Sequence, residues 1–147
     1  MLRWLAAFMG LSTQVNAAPA EIAPLNQTNE VADHLPTSDL RCGALYAALK
    51  KLSEIGESGN AESYEESAAL FVGFGVISMI ESEGLDPSEA QKEAGEIVRT
   101  FIDAYSQRMV NVGRQLEKTQ DFSEPLLEAD LVFCLDRGEA YADGRLP

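Results

Sequence analysis

The residue types that carry most enzymatic and metal chemistry are sparse in this chain. It has one histidine and two cysteines among 147 residues. A Ser–His or Cys–His nucleophilic system needs a base held by packing. The one histidine, His34, instead falls in a stretch punctuated by Pro19, Pro24 and Pro36 that reads as a flexible leader. Zinc sites draw on several nitrogen and sulfur ligands, which the chain cannot supply once Cys42 and Cys134 pair, so no metal and no cofactor is expected. Carboxylates are plentiful, at 24. Acid–base work, however, needs one carboxyl in an apolar pocket beside another kept ionised. Glu81 and Glu83 follow an apolar run and Asp103 falls off its helix's apolar stripe, so these read as solvated faces. Asp136, Glu139 and Asp143 do not match the EF-hand spacing. Gly73, Phe74 and Gly75 begin like a dinucleotide loop, but Ser78 stands where the third glycine belongs and no strand pattern precedes it. No catalytic residue is assigned, and the chain is expected not to be an enzyme.

The cysteines have a different use. They stand 92 positions apart, unlike the local pair of a redox motif or zinc knuckle, and an even, minimal count reads as one structural bridge. The compartment such a bridge needs is also written at the start of the chain. Arg3 supplies a positive charge, residues 4–11 are an apolar run, and small residues follow at Ala17, Ala18 and Ala20. That order predicts a secretory signal peptide over residues 1–17. The run is far shorter than the roughly 20 residues a membrane span requires. The expected localisation is periplasmic or secreted, with no membrane span after signal removal.

Four segments must position these residues. Residues 18–36 form the leader, and residues 37–147 are predicted to be one helical domain. A first helix runs from Thr37 or Ser38 to Gly56, with Cys42, Leu45, Leu49, Leu52 and Ile55 on one face. A second follows the turn at residues 58–60 and ends at Gly84. Its half at residues 68–80 is apolar nearly all round, which reads as a buried core helix. Gly73 and Gly75 weaken this helix, and they suit a neighbour or a ligand approaching its backbone closely. Asp86, Pro87 and Glu89 mark the start of a third helix as cap, first position and capping-box partner. A fourth, capped by Ser123 with Pro125 in its first turn, buries Leu127, Leu131, Cys134 and Leu135. Inward cysteines on the first and last helices make those helices neighbours. The predicted fold is all-α, a small four-helix bundle-like domain with one disulfide linking its first and last helices.

The charge bounds the function. A net charge of −13 repels phosphate backbones and argues against nucleic-acid binding. The expected function is a non-catalytic protein-binding, inhibitor or accessory module of the cell envelope, its partner another envelope protein with a basic surface. The contact is placed at Glu62, Glu65 and Glu66. Two alternatives stand beside it. One is a chaperone activated by acid or stress. The other binds a small apolar ligand in a pocket built from Phe71, Gly73, Phe74, Gly75 and Phe101.

Overall fold

The computed structural model describes residues 22–27, 35–119 and 124–146. Residues 1–17, expected to be a signal peptide, and His34 lie outside the described residues. Four α-helices follow a short 3-10 turn at Leu25–Gln27: α1 (Leu35–Ile55), α2 (Ala61–Glu83), α3 (Pro87–Thr119) and α4 (Pro125–Ala142). There is no strand among the described residues.

Local chemistry explains the helix ends. Gly84 closes α2 in the left-handed region at φ 68°, its N–H donating to the Ile80 carbonyl, a conformation that glycine adopts without steric cost. The Asp86 carboxylate accepts from the Ser88 N–H at 2.9 Å and starts α3. At α4 the cap is Glu124 rather than Ser123, which lies outside the described residues. The Glu124 carboxylate accepts from the N–H groups of Leu126 (2.9 Å) and Leu127 (3.3 Å).

The helices are not equivalent. Residues 38–46 of α1 are buried at every position, so α1 is a hub with the other three helices packed around it. Leu40 faces Met79, Ala90 and Ala94 in a layer shared with α2 and α3. Leu45, Tyr46, Phe71, Tyr105, Met109 and Leu126 form the larger core around the Cys42–Cys134 bridge. Both sulfurs are fully buried and the Cα atoms stand 5.5 Å apart. Each large apolar side chain withdrawn into these layers contributes about 1.5–3 kcal/mol.

Several expectations change here. The close approach of helices falls at Gly43 on α1, where an added Cβ would stand 2.6 Å from Val72 Cγ2 and 3.3 Å from the Ala68 carbonyl oxygen. Gly73 has nothing within 4 Å of that position. The apolar half of α2 is buried on one side only: Phe71, Gly75 and Met79 point inward, while Leu70 and Ile77 are each 51% exposed. Leu52, Ile55 and Leu135, all predicted to be covered, are also exposed. Part of the segment read as a flexible leader belongs to the core: Leu25 is fully buried.

Candidate functional site

The join between α1 and α4 is built from charge as much as from sulfur. Asp39 and Arg41 on α1 stand across from Arg137 and Asp130 on α4, so each helix gives one acid and one base, and the pairs flank the disulfide. In the first cluster, Asp130 Oδ2 accepts from Arg41 Nη2 (2.6 Å) and from the Tyr105 hydroxyl (2.6 Å), while Oδ1 accepts from the Leu25 N–H (2.7 Å). Arg41 also donates to the Ala23 carbonyl (3.0 Å) and lies 5.0 Å over the Phe101 ring. In the second, Arg137 Nε donates to Asp39 Oδ1 and the Tyr141 hydroxyl donates to Asp39 Oδ2 at 2.6 Å. Asp39, Asp130 and Arg41 are all at most 2% exposed.

Burial of ions is costly unless every lone pair and proton is matched, and here it is matched closely. Burial pushes the Tyr105 phenol far above its ordinary range, with Asp130 adding to the shift and Arg41 opposing it. Burial, reinforced by the hydrogen bond to Asp39, pushes Tyr141 up to about 12. Both phenols therefore remain protonated donors at neutral pH. Burial works against the charge on Arg137, but Asp39 and Tyr141 outweigh it and raise its pKa. The clusters work as clamps: they dock α4 and, through Ala23 and Leu25, tie the segment at residues 22–27 to the core.

Two features face outward. The first is a cavity of about 160 Å³ between Leu45, Leu49 and Leu52 of α1, Met109 and Val112 of α3, and Leu127, Glu128 and Leu131 of α4. Across Glu128 lies a broader groove of about 480 Å³ lined by Asn26, Pro125, Ala129, Val132, Phe133 and Asp136. The second is the outer face of α2, where Glu62, Glu66, Leu70, Gly73, Ile77 and Glu81 follow one another at helical spacing, all exposed. Among the described residues no group of three or more histidine, cysteine or acidic side chains could hold a metal ion, and no helix is long and apolar enough to cross a membrane.

The predicted site residues divide accordingly. Cys42 and Cys134 are bonded to one another. Glu62 and Glu66 lie on the outer stripe of α2. Glu65 turns aside to Lys50, whose Nζ stands 3.0 Å from its Oε1, and that hydrogen bond raises the Lys50 pKa. The five residues assigned to an apolar pocket do not share the cavity between α1, α3 and α4. Phe71 stacks on Tyr46 at 5.7 Å in the core, Phe74 stacks on Tyr141 at 3.9 Å, and Gly75 is buried. Gly73 faces open space, and Phe101 lies beneath Arg41.

Sequence reasoning missed the buried charges, although a signal was present. Asp39 precedes Cys42 by three positions, Arg137 follows Cys134 by three and Asp130 precedes it by four. Residues at those spacings share a helix face with an inward cysteine, and their signs are complementary. No family model, curated protein or solved structure matches this chain.

Proposed function

We propose that this chain is an exported, non-catalytic protein-binding module that presents the outer face of α2 to a partner with a basic, partly apolar surface. The observation that carries the reading is the uninterrupted stripe of Glu62, Glu66, Leu70, Gly73 and Ile77, with Leu70 and Ile77 each half-exposed. Carboxylates at its leading end steer a cationic partner, and the aliphatic stretch behind them supplies area to bury. Charge of this kind speeds encounter more than it deepens affinity. The clamped α1–α4 join keeps the framework behind the stripe rigid, so little ordering entropy is lost on association.

The test uses the full chain as bait in envelope extract from its own host, compared with Leu70→Glu/Ile77→Glu and Glu62→Lys/Glu66→Lys variants. The expected result is a defined partner retained at low salt, lost by both variants, and captured more slowly as salt rises. Equal recovery by the native chain and both variants rejects the assignment. The cavity between α1, α3 and α4 favours a second, separate activity, the binding of a small apolar group.

A further inference from the structure

We infer that the cleft between α1 and α4 that holds residues 22–27 is a recognition site for a short peptide segment with a leucine anchor, kept occupied by the chain's own copy of that ligand. The inference concerns a face apart from the α2 stripe and does not rest on the protein-partner reading.

The seated segment is held in the way a bound peptide is held. Leu25 is fully buried and joins the core around the disulfide. On either side of it Ala23 and Asn26 are exposed, and Ile22 and Pro24 are half-buried. Hydrogen bonds to the two helices are made by the segment's main chain. The Leu25 N–H donates to Asp130 Oδ1 at 2.7 Å, and the Ala23 carbonyl accepts from Arg41 Nη2 at 3.0 Å. Pro24, between them, has a fixed φ and no N–H of its own. In peptide recognition main-chain bonds of this kind supply affinity, and a pocket for a side chain supplies the choice of sequence.

The join beneath is matched without the segment. Asp130 Oδ2 accepts from Arg41 Nη2 and from the Tyr105 hydroxyl, each at 2.6 Å, and Arg41 lies over the Phe101 ring. Departure of residues 22–27 takes a partner from Asp130 Oδ1 and from one guanidinium N–H, both of which the vacated cleft opens to water. The segment also leaves space beside it unfilled. Asn26 forms one wall of the open groove of about 480 Å³ that passes Ala129, Val132 and Phe133 of α4. A longer partner segment, anchored by its own leucine, reaches contact area there that residues 22–27 do not use.

The probe is the end-blocked peptide Ile-Ala-Pro-Leu-Asn-Gln, the sequence of residues 22–27. It is titrated into isotope-labelled full chain and followed at the amide signals of Ala129, Asp130, Val132 and Phe133. Two host variants, Leu25→Asp and Leu25→Ala, loosen the internal copy to different degrees. Both should keep a helical circular dichroism spectrum. Both should bind the peptide at least about tenfold more tightly than the native chain, whose tethered copy competes at an effective concentration on the order of millimolar. A peptide carrying Leu25→Asp should not bind. N-methylation of the peptide leucine, which removes the N–H given to Asp130, should weaken binding about tenfold or more, the range of a hydrogen bond to a charged group. No shift in either variant, or loss of the fold in both, overturns the site. Equal affinity of the native chain and the folded variants overturns its internal occupancy, and undiminished binding of either altered peptide overturns the recognition chemistry.

Discussion

Asp130 is the residue on which most of the α1–α4 join converges, and removing its carboxylate is the sharpest test of the clamp. Asp130→Ala takes away the partner of Arg41 and leaves a guanidinium that is 2% exposed without its counter-ion. Breaking a buried pair from one side costs about 3–5 kcal/mol. The Tyr105 hydroxyl and the Leu25 N–H lose their acceptor in the same step, each exposed to a further penalty of about 1–3 kcal/mol before water enters the vacated space. Against a total stability on the order of 5–15 kcal/mol, the variant is expected to lose at least about 3 kcal/mol. The companion variant Arg41→Met/Asp130→Leu removes both charges. Apolar replacement of a buried pair is often neutral, so the double variant is expected to lie at least about 2 kcal/mol above Asp130→Ala even though it carries more changes. Urea unfolding followed by far-ultraviolet circular dichroism, with the disulfide intact, measures the native chain and both variants. A loss below about 1 kcal/mol for Asp130→Ala, or a double variant no better than the single, refutes the reasoning.

Gly43→Ala is expected to destabilise by about 1–3 kcal/mol, because the new methyl meets Val72 and the α2 backbone and overpacking outweighs the gain in helix propensity. Gly73→Ala, with open space around it, is expected to stabilise by up to about 1 kcal/mol, so the same chemical change has opposite signs in thermal melts. At Glu124, partial burial pushes the pKa up, but Arg108 and the capped N–H groups of Leu127 and Leu126 outweigh it and hold the carboxyl below its ordinary 4.5. The folded state therefore favours the ionised form, and the stabilisation relative to Glu124→Gln is present above pH 4.5 and lost as pH falls through the lower folded value. Melting curves from pH 7 to pH 3 should show the two proteins converging. For Tyr141 the sign is reversed: with its pKa raised from 10.0 to about 12, it contributes stability that is complete below pH 10 and declines toward pH 12, and Tyr141→Phe should remove one of the late-ionising phenols from the ultraviolet titration. Cys42→Ala/Cys134→Ala opens a loop spanning 92 positions and should lower stability by about 2–5 kcal/mol, measured by urea unfolding.

Helix identity and the disulfide were legible because both rest on local rules. Gly84 and the Asp86–Pro87 start punctuate the chain whatever surrounds them, and Cys42 and Cys134 lie on apolar stripes that must face inward. The hub position of α1 was not legible, since periodicity names a face without saying how many neighbours will cover it. The same limit explains Leu52, Leu70, Ile77 and Leu135, which are apolar by type and exposed by position. Asp39, Arg41, Asp130 and Arg137 were hidden for the opposite reason. A charged side chain is taken for surface until its counter-ion is known, and here the counter-ions lie 98 and 89 positions away. The cavity depends on three helices at once, so its lining could not be assembled from any single segment.

The bond from the Leu25 N–H to Asp130 joins groups separated by 105 positions, and it bears on how the chain is made. Asp39 and Arg41 leave the ribosome 98 and 89 positions ahead of their partners Arg137 and Asp130. Until then the emerging polypeptide holds ionised groups that no partial core can accept. A chain truncated before α4 is therefore expected to stay open to proteases, as limited digestion of a fragment of residues 1–120 would report. Docking of α4 is thus the step that matches the charges of α1 and closes this fold.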